Sequence, residues 1–158
     1  MTSDHHSLPA AVIPTAALWL GPLGLLPFLA GAAALWLLPA AWSPTAVLVL
    51  VGYGAVILSF LGGVHWGLAA AGPGERAPQM SLSVLPSLLG WAAVVIAGQE
   101  TPWAQPWLAF ALLVIAFGAV LAADLVAVGH GLAPRWYPRL RIPLTLVVMA
   151  SLIAGAAA

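Results

Sequence analysis

The chain is dominated by apolar runs roughly 20 residues long that are almost free of charge, and few folds can accommodate such runs. An ordinary soluble domain is about 25% charged, whereas this sequence is 5% charged and 63% hydrophobic over 158 residues. A surface that poor in charge needs a solvent as apolar as its side chains, which is the interior of a lipid bilayer. Two architectures satisfy every backbone hydrogen bond there, the α-helix and the closed β-barrel. A barrel would show segments of about 10 residues with alternating polarity. Here the runs are continuous, twice that length and rich in Ala and Leu. The sequence therefore predicts an all-α integral membrane bundle.

Five spans are expected, at about 16–38, 45–71, 79–97, 103–128 and 140–157, behind a flexible N-terminal tail over 1–15. Pro22 and Pro27 predict a bend in the first span. Ser43 is expected to cap the second span, with Pro44 in its first turn. The tail lacks the basic region of a cleavable signal, so the first apolar run is read as a retained span. Five spans place the N-terminus and the loops at 72–78 and 129–139 on one side. Arg76, Arg135, Arg139 and Arg141 all fall on that side, and the two opposite loops hold neither Lys nor Arg. By the positive-inside rule that side is cytoplasmic and the C-terminus is periplasmic. Trp36, Trp42, Trp103 and Trp107 fall near the expected outer boundary, and Trp136 and Tyr137 near the inner one, as two interfacial belts. The expected location is a bacterial inner membrane, with the lipid bilayer as the first partner.

Composition also excludes function classes. Zero net charge and no Lys argue against nucleic acid. No Cys means no disulfide, thiolate metal site or cysteine nucleophile. His5 and His6 are adjacent, but two ligands are too few for a closed metal site. No metal or cofactor is expected. No repeat of the kind that builds transporters is visible.

Two features carry chemistry. The second span places Ala55, Ser59, Gly63 and Gly67 at every fourth position, a stripe that lets helix backbones approach closely within a chain or between chains. Ionisable residues inside spans are costly and mark candidate sites. His65 and Asp124 lie near the cytoplasmic ends of the second and fourth spans, both roughly 6 to 9 Å below the surface at about 1.5 Å per residue. Trp66, Ser83, Ser87 and Thr145 lie at similar depth, with Arg76, Tyr137, Arg139 and Arg141 just above. Three readings compete. Asp124 pairs with Arg139 or Arg141 and His65 bonds a Ser or a carbonyl, fastening the helix ends. Or His65, Trp66, Arg76 and Asp124 line a pocket for a headgroup or small molecule. Or His65 and Asp124 relay protons or support hydrolysis, although no activated nucleophile or oxyanion motif accompanies them.

The segments Tyr53–Gly67, Ser83–Trp91 and Asp124 followed by Pro134–Arg141 resemble a bacterial family of small multi-pass membrane proteins classed as a domain of unknown function. That family is similar to a mitochondrial transmembrane protein of animals. The resemblance runs from about Leu18 onward and implies the same bundle in an energy-converting membrane. It implies no activity and no catalytic residue. Tryptophan-rich sensory proteins share only size and composition with the chain. The functional expectation is a non-enzymatic accessory, assembly or stabilising subunit of a larger membrane complex, with a cytoplasm-facing binder of a lipid or hydrophobic cofactor as the alternative.

Overall fold

Proline sets the segmentation of the chain. A computed structural model describes residues 12–71, 77–99 and 105–158. The described residues form α1 (Thr15–Leu23), α2 (Leu26–Leu37), a 3-10 turn (Ala40–Trp42), α3 (Ser43–Ala71), α4 (Ala77–Leu82), α5 (Leu85–Ala97), α6 (Pro106–Gly129) and α7 (Tyr137–Ala156). No strand occurs among them. They make up five helical segments long and apolar enough to cross a bilayer: α1 with α2, α3 with its 3-10 turn, α4 with α5, α6, and α7.

The first span breaks where Pro22 and Pro27 predict a bend, between α1 and α2, and Pro27 sits in the first turn of α2. The third span, expected to be one helix, breaks as well. Pro86 stands in the first turn of α5, has no N–H to continue the ladder, and leaves α4 as a separate short helix. Pro143 lies inside α7, which continues through it. Ser43 does not cap α3: the 3-10 turn runs straight into the helix, so Ser43 already has helical dihedral angles. α3 has 29 residues, about 43 Å at 1.5 Å per residue. That exceeds a hydrocarbon core of about 30 Å and implies tilt or projection beyond it.

Consecutive spans pack side by side around the bundle, and α7 closes it against α2. α3 and α6 also touch across the middle, so α3 contacts α2, α5 and α6. Phe28, Leu50, Leu58, Leu113, Phe117 and Leu152 fill the centre. Phe28 meets Tyr53 and Phe117 edge-on at 4.9 and 5.9 Å between ring centroids, the geometry favoured by aromatic quadrupoles. Large apolar side chains such as Trp19, Phe60, Ile115 and Ile153 point outward. That inside-out exposure suits lipid.

α3 is held between the two broken spans. Tyr53 donates its hydroxyl hydrogen to the Gly24 carbonyl at the first break, at 3.0 Å. At the second break a methyl on Gly62 would stand 2.5 Å from the Ser83 carbonyl oxygen, so only glycine admits that approach. On α5, a methyl on Gly90 would stand 2.9 Å from the Ala55 Cα. The every-fourth stripe divides accordingly. Ala55 lies against Gly90, whereas Ser59, Gly63 and Gly67 are exposed and open space faces both glycines. Ser59 turns its hydroxyl back to the Ala55 carbonyl at 2.9 Å. The close seam of α3 runs through Gly54, Ala55 and Gly62.

Adjacent glycines should therefore respond oppositely. Gly62→Ala should lower thermal stability in detergent, by roughly 1–3 kcal/mol of overpacking. Gly63→Ala should be neutral or stabilising by about 0.5–1 kcal/mol through helix propensity. Thermal unfolding of the two variants side by side checks the assignment of the seam.

Candidate functional site

Asp124 is the acidic residue of the described spans, and the bundle buries it to 2% exposure. An isolated carboxylate in that position would be strongly disfavoured, so its partners decide the site. α3, α6 and α7 meet here at one end of the bundle. From α3, His65 Nε2 lies 2.9 Å from Asp124 Oδ1. From α7, Arg141 Nε donates to Asp124 Oδ2 at 2.7 Å. A carboxylate only accepts, so His65 carries its hydrogen on Nε2, and in the neutral ring Nδ1 is then an acceptor. Both carboxylate oxygens are engaged by different helices.

This geometry resolves the choice among partners for Asp124. It takes Arg141, while Arg139 is exposed outside the cluster. The partner of His65 is the carboxylate itself and not a serine or a backbone carbonyl. Arg141 also lies over the Tyr137 ring, with Cζ 6.0 Å from the centroid, and Tyr137 stacks edge-on with Trp136 at 5.7 Å. Trp66 follows His65 but is exposed on the outer face. Ser83, just past the end of α4, is buried and donates its hydroxyl to the Met80 carbonyl at 2.6 Å. Ser87 is half-buried one turn further along α5. Arg76 and Trp103 lie outside the described residues, as do His5 and His6.

A cavity of about 530 Å³ opens beside His65, between α3, the α4–α5 break and α6. Its volume falls within the range of small-molecule sites, roughly 300–1,000 Å³. The space exists because α6 presents Ala116, Ala119, Ala123 and Ala127 to it, a face of small side chains at helical spacing. Polar groups gather at one end: His65, Gln79, Ser83 and His130. Sequence reasoning passed over Gln79. His130 lies near the same end of the spans as His65 but follows Gly129 in a loop, which argued against a shared site, and the fold is what lines one cavity with both. Among the described residues, no three His, Asp or Glu side chains gather as a metal site would require. The arrangement can accept and donate hydrogen bonds at one end of an otherwise apolar chamber.

Residues 13–157, which include every member of this cluster, match the family described as protein of unknown function (DUF3429). The chain belongs to that family. It is 35% identical over 145 residues to Transmembrane protein 69 of Xenopus tropicalis, covering 90% of this chain and 54% of that protein. It is 30% identical over 143 residues to Transmembrane protein 69 of Mus musculus, covering 89% and 55%. The chain thus spans about half the length of the curated relatives it matches. No solved structure matches it. The resemblance carried by Tyr53–Gly67, Ser83–Trp91 and Pro134–Arg141 is thus to this family, and the chain is similar to the two animal proteins as well.

The cluster makes a sharp energetic prediction. Asp124→Ala leaves the Arg141 charge buried and unpaired, and should destabilise the bundle by about 3–5 kcal/mol. His65→Ala should cost less, because the Asp124–Arg141 pair survives. Replacing both partners, Asp124→Leu with Arg141→Met, should recover much of the loss, since no uncompensated charge remains. Unfolding of the three variants in one detergent gives the order.

Proposed function

We propose that the chain is a membrane-embedded binder of a lipid or hydrophobic cofactor, held in the cavity between α3, α5 and α6. The observation that carries this reading is the cavity's division into an apolar chamber and one polar end at His65 and Ser83. A ligand of matching polarity would lay its apolar body along the alanine face of α6. Its hydrogen-bonding group would meet the imidazole, whose ring is fixed through Nε2 by Asp124. A fixed ring favours recognition, because less freedom is lost on binding.

The polar end lies with Arg135 just before α7 and Arg139 and Arg141 in its first turns. The positive-inside rule assigns such an end to the cytoplasm, which gives a cytoplasm-facing site in a bacterial inner membrane with the C-terminus across it. A second reading is supported by a different surface. Ser59, Gly63 and Gly67 present a small-residue face of α3 that no other part of the chain covers among the described residues. That face fits an accessory or assembly subunit docking into a larger complex. Neither reading makes the chain an enzyme.

Gentle-detergent purification with mass spectrometry of everything retained separates the two. Ala123→Phe, which puts a large side chain on the alanine face of the cavity, should lower retention of the small molecule by about tenfold or more and leave thermal stability near that of the parent chain. Gly63→Leu should leave that molecule in place. A parent chain that retains no small molecule but co-purifies with a stoichiometric protein partner, lost in Gly63→Leu, overturns the binder and supports the accessory subunit.

A further inference from the structure

A second cavity, of about 140 Å³, lies on the opposite side of Arg141, where the α1–α2 break meets α3, α6 and α7. Its walls are almost entirely apolar, with Leu25, Phe28, Phe60 and Phe117 among them. Two residues depart from that character, Arg141 and Thr145, one helical turn apart on α7. Both are more than nine-tenths buried, at 8% and 1% exposure. Among the described residues, Arg141 Nη2 and Thr145 Oγ1 have no hydrogen-bond partner. Buried polar groups are almost always satisfied, so each exception needs an explanation. Thr145 could have turned its hydroxyl back along the helix, as Ser151 does to the Val147 carbonyl at 2.8 Å. It does not.

We infer that this cavity is an acyl-carbonyl site: Arg141 Nη2 and the Thr145 hydroxyl converge on the carbonyl oxygen of an acyl lipid, with the first methylenes of its chain among the surrounding Leu and Phe side chains and the rest of the lipid outside in the bilayer. A carbonyl oxygen has two lone pairs, one for each donor. An ionised ligand fits less well, because Asp124 already cancels the Arg141 charge. A water would find the same two polar partners, the least that a buried water needs, with the rest of the wall apolar. The cavity is open at one side, where Leu20 and Phe60 are exposed on the outer surface of the bundle. An acyl chain can therefore enter from the bilayer. The same chemistry is offered by the ester of a glycerolipid and by the protonated carboxyl of a fatty acid. The site is independent of the larger cavity and stands whether or not that one binds a ligand.

The test uses the full chain in nanodiscs of dioleoyl phosphatidylglycerol or of its diether analogue, which keeps the headgroup and chains but lacks the carbonyl. Native mass spectrometry then counts retained lipid. Retention of the ester form should exceed that of the ether form by roughly tenfold, the effect of losing about one hydrogen bond to a charged donor. Thr145→Val should lower ester retention by a similar factor, and Thr145→Ser should keep it. Repeating the count in Ala123→Phe excludes the larger cavity as the source. Oleic acid added to the ether nanodiscs identifies the fatty-acid source if it is retained in a Thr145-dependent way. Equal retention of ester and ether lipid, with no Thr145-dependent retention of oleic acid, overturns the site. So does a Thr145→Val chain that melts higher than the parent in ester lipid, the result expected where a hydroxyl is simply orphaned.

Discussion

A carboxylate enclosed by a bundle that faces hydrocarbon has to be neutralised by groups delivered from its neighbours, and Asp124 shows how much structure follows from that requirement. Its two oxygens are met by His65 from α3 and Arg141 from α7, at 2.9 and 2.7 Å. Three helices are thereby pinned at one end in a defined rotation. Apolar packing between helices in lipid has little directional preference, because lipid tails are as apolar as leucine. A buried charged triad does have such a preference. It sets which face of α6 looks toward α3, and so which face presents the alanines that open the larger cavity.

The second organising element is the pair of broken spans on either side of α3. A continuous helix satisfies its own backbone, so its carbonyls are unavailable to neighbours. A proline break releases some of them. At the first break the Gly24 carbonyl accepts the Tyr53 hydroxyl, and at the second the Ser83 carbonyl comes against Gly62. At each break part of the chain faces the bundle, Gly24 half-buried and Ser83 buried, while Leu23, Leu26, Leu82 and Leu85 are exposed. Each break also borders one of the two cavities. The breaks prevent adjacent helices from packing along their full length, which leaves space beside them.

The two cavities flank the same triad from opposite sides, with His65 at one and Arg141 at the other. Their polar ends therefore share a carboxylate. Both chambers are otherwise apolar. The chain belongs to a family whose function is unknown, and it is these two chambers, more than any nucleophile or metal ligand, that distinguish its interior chemistry.

Much of the architecture was legible in the sequence because the bilayer imposes a one-dimensional rule. Apolar length alone gives the five spans, and Pro22 with Pro27 marks the first break. Equal depth from a helix end also put His65 and Asp124 within reach of one another, with Arg141 just above, since rise per residue is constant. Rotation about the helix axis and the choice of neighbour were not legible. Gly62 and Gly63 are adjacent in sequence and equally small, yet one meets a backbone oxygen and the other faces outward. Pro86 breaks its span and Pro143 does not, although both stand in apolar runs. His130 joins the larger cavity from a loop, and Thr145 lines the smaller one beneath Arg141. What the sequence determined was the solvent, the helices and the depth of each polar group, because these depend on local composition and length. What the tertiary structure decided was which of those groups face one another and where space remains, because both depend on how helices turn and lean against neighbours distant in the chain.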